Sequence, residues 1–181
     1  MNQVRSEDPI AYSVGKTYLE QLDNAVRLSM TNCMSVGEEN KIIKQALDIL
    51  HGRLDREGAL TSPDQTRNYL SLKYGQVEHE LFGIIMMDNR NQILGISEMF
   101  RGTIDGASVY PREVVKEVLH QNAAAVILFH NHPSGVIEES QADIRITERL
   151  KKALNMIDVR VLDHVIVGGA NSNSLAEKGL V

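Results

Sequence analysis

Residues 123–135 read AAAVILFHNHPSG, and this stretch decides how the second half of the chain folds. Ala123–Phe129 is an apolar run with the length of a buried strand. His130 and His132 follow it, and the Pro-Ser-Gly sequence after them favours a sharp turn. Because side chains alternate faces along a strand, the two imidazoles point the same way. Their Cα atoms lie about 6.5 Å apart if each residue rises ~3.3 Å.

A carboxylate follows the histidine pair at the start of the next predicted helix. Ser140 begins this helix, and Asp143 lies in its first turn, where the helix dipole favours an anion. The preceding turn can bring the carboxylate back to the two rings. Two histidines and one aspartate form a ligand set for a catalytic zinc ion, with a fourth position open for water. The predicted metal ligands are therefore His130, His132 and Asp143.

These residues also have simpler interpretations. A His-x-His pair often occurs by chance without binding metal. Ser140 and Asp143 also fit a capping box, in which each side chain bonds to the backbone of the other residue. Capping and catalysis are compatible for Ser140, whereas a metal-bound Asp143 would have less freedom to cap. The combination of histidine pair, turn and helix start favours the metal site.

Helical and strand patterns alternate from residue 60 onwards. Helices are predicted from Ser62-Pro63 to Tyr74, from Tyr110-Pro111 onwards and from Ser140 to Asn155. Strands are predicted over Leu81–Met87, 92–100, 123–130 and 159–167, and the first two are joined by turn residues 88–91. This order predicts an α/β, or α+β layered, fold with a mostly buried sheet flanked by helices.

The first third of the chain has a different character. Residues 1–60 are predicted to form an N-terminal helical extension, partly flexible, ahead of a domain over residues 61–181. Helical spacing predicts one helix over Thr17–Met30, and a capping-box pattern at Ser35 predicts a second that ends near His51. Residues 55–61 have the composition of a linker. The extension could form a homodimer or cover an active cleft.

The composition is that of a soluble globular protein, with 43% hydrophobic and 24% charged residues. A net charge of −5 does not favour non-specific binding to nucleic acid or to an anionic membrane, because both attract basic surfaces. The single cysteine, Cys33, agrees with a reducing compartment. The sequence has neither a signal-peptide pattern nor the ~20 apolar residues of a membrane span. A cytoplasmic protein without membrane contact is expected.

His130-Asn131-His132-Pro133, followed by Ser140 and Asp143, resembles the JAMM motif of MPN-type (JAB domain) zinc metalloproteases. The surrounding sequence resembles the RadC branch of that superfamily at Gly102-Thr103, Pro111-Arg112-Glu113 and Leu162-Asp163-His164. The resemblance extends from about Thr61 to Val181. It implies a JAMM/MPN fold, which is a cytidine-deaminase-like mixed sheet flanked by helices, and a Zn²⁺ ion held by the three predicted ligands.

The resemblance also implies two catalytic residues, Ser140 as an oxyanion-stabilising group and an upstream glutamate as general base. Glu80 precedes the strand Leu81–Met87, and Glu80 and Gly83 have the Glu-x-x-Gly spacing of the superfamily. Glu78 would share the same strand face, so geometry leaves both glutamates open. Glu80 is preferred because it adjoins the apolar run, where exclusion of water raises the proton affinity of a carboxylate.

The implied activity is hydrolysis of an amide bond, in a peptide or in an isopeptide on a lysine side chain, with a protein or peptide as substrate. A nucleic-acid factor is one alternative, since the RadC branch takes its name from a proposed DNA-repair role. An HNH nuclease fits poorly, because its motif residues are dispersed rather than consecutive. A non-catalytic MPN scaffold is another alternative, although such proteins typically lack the metal residues.

Two departures from the family pattern qualify the resemblance, and one histidine outside the motif has its own interpretation. RadC-type proteins usually have a helix-hairpin-helix DNA-binding motif before this domain, and residues 1–60 have no such pattern. Glu139 stands where relatives often have proline. His164, in the last predicted strand, is interpreted as a structural histidine in preference to a residue that supports the metal site.

Overall fold

This computed structural model describes residues 34–57, 62–103 and 108–181. The chain divides into two compact units, residues 1–45 and 46–181, and the β-sheet lies in the second. The helix predicted over Thr17–Met30 falls outside the described residues. That helix therefore stays a prediction. The domain division near residue 60 and the homodimer also stay predictions.

Helix α1 (Val36–Glu57) begins at the predicted capping box. The Ser35 backbone nitrogen donates to Glu38 Oε2 at 2.9 Å, and the Glu38 nitrogen donates to Ser35 Oγ at 3.4 Å. The helix continues past its predicted end at His51, so the linker prediction is wrong for residues 55–57. Residues 53–57 are Arg, Leu, Asp, Arg and Glu, and none of them is the proline or glycine that ends a helix.

Three more helices and five strands follow in the described part of the chain. They are α2 (Pro63–Tyr74), β1 (Leu81–Met87), β2 (Ile93–Arg101), α3 (Pro111–His120), β3 (Ala125–Asn131), α4 (Gln141–Asn155), β4 (Arg160–Gly168) and β5 (Asn171–Ser174). Their order confirms the predicted one up to β4. No helix in the described ranges combines the length and apolar character needed to cross a bilayer.

The five strands form one mixed sheet in the order β2-β1-β3-β4-β5. The strand β1 is antiparallel to both β2 and β3, β3 is parallel to β4, and β5 is antiparallel to β4. This arrangement confirms the predicted α/β fold. The connection between the parallel strands β3 and β4 contains α4. Residues 132–140 join the carboxyl end of β3 to the N-terminus of this helix.

The sheet is covered by helices on both faces. All seven residues of β1 are buried, which explains why its sequence is continuously apolar rather than alternating. One face packs against α3 and α4 in a core that includes Phe82, Ile84, Met86, Val114, Val118, Val126, Leu128, Leu150 and Leu154. The other packs against α2 in a core that includes Tyr69, Leu70, Tyr74, Ile85, Met87, Phe129 and Val165.

We expect Gly83→Ala to destabilise the protein much more than Gly95→Ala, although both glycines lie in paired strands. A Cβ atom at Gly83 would lie 2.3 Å from the Phe129 ring and 2.7 Å from the Ser97 carbonyl oxygen. Overpacking of this kind costs about 1–3 kcal/mol. At Gly95 the nearest atom would be Met86 Cε at an ordinary 3.7 Å. Urea unfolding of both variants tests this, and equal losses would contradict it.

Candidate metal centre

The carboxyl end of β3 brings His130 and His132 together. Their Nε2 atoms lie 2.9 Å apart. His130 is buried, and the His132 backbone nitrogen donates to the Val167 carbonyl oxygen at 2.8 Å, which keeps the chain beside β4. Asn131 points to the opposite face, as predicted, where its Oδ1 accepts from the Leu81 nitrogen at 2.8 Å. The alternation of a strand therefore places both imidazoles on one side.

The loop between β3 and α4 is anchored on the far edge of the sheet. It turns at Gly135, whose φ of +80° is readily adopted only by glycine. The Asn173 side chain in β5 donates to the Ile137 carbonyl oxygen at 3.0 Å and to Glu139 Oε2 at 2.9 Å. Lys178 also pairs with Glu139. The edge strand thus fixes the path that leads from the histidines to α4.

Asp143 faces the histidines and caps its own helix at the same time. Its Oδ1 lies 3.3 Å from His130 Nε2, and its Oδ2 lies 3.8 Å from His132 Nε2. The Ser140 nitrogen donates to Oδ2 at 2.7 Å, and the Asp143 nitrogen donates to Ser140 Oγ at 3.1 Å. The capping interpretation and the metal interpretation of these residues are therefore compatible, since the nearest contact of each involves a different carboxylate oxygen.

The donor atoms of this triad suit a divalent cation. The three ligand atoms lie within 4.8 Å of one another. His132 Nδ1 is 2.7 Å from the Val136 carbonyl oxygen, which can only accept, so Nδ1 carries the proton and Nε2 presents a lone pair. Nitrogens bound at ~2.0–2.1 Å to a tetrahedral zinc would stand ~3.4 Å apart. The rings therefore have to separate by only about half an ångström to fit that geometry.

The Asp143 carboxyl group is held in its charged form. Burial alone would raise its pKa, but the His130 ring and the hydrogen bonds from Ser140 outweigh burial and hold this pKa well below its ordinary value. Only 13% of the side chain is exposed, so little water competes for its oxygens. An anionic oxygen beside two imidazoles is a ready ligand at neutral pH.

A cavity of about 640 Å³ opens over the triad. The predicted catalytic residues Glu80 and Ser140 line it together with the three candidate ligands. Its other walls include Phe82, Val109, Pro133, Val136, Ala142 and Ile146. The five residues singled out by the sequence thus meet at one cleft with mixed polar and apolar walls.

The structure separates Glu80 from Glu78. The expectation that both share one strand face is wrong, because the chain bends at residues 78 and 79. Asn131 holds this bend, since its Nδ2 donates to the Val77 and His79 carbonyl oxygens at 3.1 Å. Glu78 is exposed, whereas Glu80 is half-buried and lines the cavity. Among the described lining residues Glu78 does not occur.

Two buried residues behind the triad carry a hydrogen-bond chain that the sequence did not indicate. His164 is fully buried, and its Nε2 lies 2.8 Å from His130 Nδ1. Its Nδ1 lies 2.6 Å from Thr147 Oγ1. Thr147 had no sequence signal beyond its spacing, since it lies one helical turn after Asp143. The preferred interpretation of His164 as a structural residue is compatible with its burial but leaves out its contact with His130.

Residues 60–180 match the family described as RadC-like JAB domain, so the chain belongs to this family. A UPF0758 protein of Vibrio cholerae serotype O1 is 54% identical over 142 residues, which cover 78% of this chain and 90% of that protein. A UPF0758 protein of Stutzerimonas stutzeri is 58% identical over 127 residues, 70% of this chain and 57% of its own length. A Vibrio campbellii UPF0758 protein is 44% identical over the whole chain and 82% of its own length.

Proposed function

We propose that this protein is a zinc-dependent hydrolase that cleaves an amide bond in a protein or peptide. The observation that supports this most strongly is the convergence of two imidazole nitrogens and a carboxylate oxygen in one cavity with a glutamate and a serine. His130, His132 and Asp143 would hold the ion and leave a position for water. The proposal also agrees with membership of the RadC-like JAB domain family.

Zinc, when bound, would lower the pKa of a coordinated water towards ~7 and polarise the scissile carbonyl group. Glu80 would accept the proton of the attacking water and deliver it to the leaving amine. Ser140 Oγ accepts one hydrogen bond from the Asp143 nitrogen, and its own proton would be donated to the carbonyl oxygen as negative charge develops there. Phe82 and Ile146 would limit the access of bulk water.

The proposal is tested with the full chain, by metal analysis and by cleavage of a panel of fluorogenic peptides and lysine isopeptides. We expect about one zinc ion per chain, loss of cleavage on treatment with a chelator, and recovery on zinc addition. A zinc-loaded chain that cleaves none of the panel would favour the non-catalytic scaffold instead.

Fractionation of the source cells would test the expected cytoplasmic location.

Ser140→Ala should lower the cleavage rate by about 10²–10³-fold, because one donor to the developing oxyanion is lost. It should also lower the free energy of unfolding by about 1 kcal/mol, because Ser140 caps α4. Ser62→Ala is the matched control. Ser62 caps α2 by accepting from the Gln65 nitrogen at 3.3 Å and does not line the metal cavity. If both variants lost activity equally, the catalytic role of Ser140 would be rejected.

A further inference from the structure

A continuous chain of hydrogen bonds runs behind the candidate ligand His130. Thr147 Oγ1 lies 2.6 Å from the backbone carbonyl oxygen of Asp143 and 2.6 Å from His164 Nδ1. His164 Nε2 then lies 2.8 Å from His130 Nδ1. These hydrogen bonds thus connect the backbone of the candidate ligand Asp143 to the ring of the candidate ligand His130.

We infer that Thr147 and His164 are positioning residues that keep the ring proton of His130 on Nδ1 and leave its Nε2 lone pair directed at the metal. This inference rests on the proposed metal site, because the orientation of the lone pair matters only where an ion is bound. Groups that orient metal-binding histidines in this way fix both the ring and its tautomer, which is the choice of nitrogen that carries the proton.

The direction of the chain follows from the carbonyl group at its start. A carbonyl oxygen can only accept, so the single hydroxyl proton of Thr147 points to Asp143. The Thr147 oxygen then accepts from the Nδ1–H group of His164. A neutral His164 with its proton on Nδ1 has a lone pair on Nε2, and this lone pair accepts from His130 Nδ1–H.

The surroundings of His164 favour its neutral form. The ring is 0% exposed, and the Phe82 ring lies edge-on to it with the centroids 5.8 Å apart. Burial of a charged imidazolium in such a place is costly without a directly paired anion. Both ring nitrogens already have partners that fit a neutral ring, Thr147 on one side and His130 on the other.

The opposite direction defines the competing arrangement. If the Thr147 hydroxyl donated to His164 Nδ1, His164 would donate from Nε2 to His130 Nδ1. The proton of His130 would then lie on Nε2, where the lone pair of His132 Nε2 at 2.9 Å and Asp143 Oδ1 at 3.3 Å could accept it and where it would block the ion. That direction would leave Thr147 Oγ1 and the Asp143 carbonyl oxygen 2.6 Å apart with no proton between them, whereas the first direction satisfies both oxygens. The position of the His130 proton decides between the two directions.

Nuclear magnetic resonance of the metal-free full chain, labelled with ¹⁵N at histidine, measures this position directly. Two-bond ¹H–¹⁵N spectra distinguish a protonated ring nitrogen from one with a lone pair, and His130→Ala identifies the His130 signals. We expect a protonated Nδ1 and a lone pair on Nε2. A proton found on Nε2 in the metal-free chain would overturn the inference.

Thr147→Val keeps the shape of the side chain and removes the hydroxyl group, whereas Thr147→Ser keeps the hydroxyl. We expect Thr147→Val to weaken zinc binding by about 10–100-fold in competition with a chromophoric chelator, and Thr147→Ser to stay within about threefold of the unsubstituted chain. Thr147→Val should also give His130 a mixture of tautomers. Equal zinc affinity of the two variants would overturn the inference.

A second pair of variants covers the case in which Thr147→Val fails to fold. His164→Gln retains an amide oxygen that can accept from His130 Nδ1–H, and His164→Leu has no acceptor. We expect the leucine variant to lose more zinc affinity and to lose the uniform His130 tautomer. Leucine and glutamine variants with the same affinity and the same tautomer would overturn the inference.

These results separate this inference from the proposed function. A protein that binds no zinc would refute the proposed function. The tautomer of His130 in the metal-free protein would still decide whether Thr147 and His164 keep its proton on Nδ1. A chain that binds zinc with unchanged affinity in Thr147→Val would retain the proposed function and remove the positioning role.

Discussion

Asp143→Ala should abolish zinc binding, so that metal content falls from about one ion per chain to nearly none at the same free zinc concentration. The expected loss exceeds the ~10–100-fold that removal of an orienting partner costs, because a bonding oxygen and its negative charge disappear together. Cleavage of any amide substrate should disappear with the metal. Mass spectrometry of the purified chain for zinc, beside an activity assay, measures both effects.

Asp143→Asn is the matched control for the other role of this residue. Asparagine keeps an oxygen that can accept from the Ser140 nitrogen, so the start of α4 should retain most of its cap. It lacks the charge and should therefore also bind zinc poorly. We expect the alanine variant to unfold at lower urea concentration than the asparagine variant. An alanine variant with normal zinc content would refute the metal site itself.

Glu80→Gln should lower the rate of cleavage by about 10²–10⁴-fold, the usual contribution of a general base, while zinc content is unchanged. Glutamine has nearly the same shape but cannot accept the proton of the attacking water. The side chain lines the cavity with the three candidate ligands and does not belong to the metal-binding cluster, so the ion should remain. Steady-state kinetics on zinc-loaded protein measure the change.

Glu78→Gln is the control for this substitution, since it makes the same chemical change two residues earlier on an exposed side chain. We expect its rate to match that of the unsubstituted protein. A larger loss in Glu78→Gln than in Glu80→Gln would identify Glu78 as the general base and contradict the assignment to Glu80. No loss in either variant would argue against general-base catalysis by this segment.

Helix starts were predictable from the sequence because a cap is a local structure. The capping residues Ser35, Ser62 and Ser140 each bond to a backbone nitrogen three positions later, and each begins a helix where it was expected. The central strands were predictable because burial on both faces requires continuous apolar runs. The convergence of the histidine pair and Asp143 followed from the same local rules of alternation, turn and helix start.

Features that depend on distant residues were not predictable. The strand β5 has the sequence Asn-Ser-Asn-Ser, and only its pairing with β4 makes it a strand. The bend that separates Glu78 from Glu80 is held by Asn131, more than 50 positions later in the chain. Thr147 acquires its role from His164, which is 17 positions away on a different element.

Asn173 and Lys178 both hold Glu139, and Glu139 lies in the segment between the candidate histidine ligands and Asp143. The relative position of the candidate ligands therefore depends on these two residues. These contacts span 34 and 39 positions of sequence, yet they fix the segment that joins the histidine pair at the end of β3 to Asp143 in α4. Neither Asn173 nor Lys178 belongs to the candidate ligand cluster. Substitutions of these two residues would therefore leave the candidate ligands themselves unchanged. They would nevertheless loosen the segment that sets the distance between the imidazoles and the carboxylate, so the spacing of the candidate ligands depends on side chains far from the donor atoms.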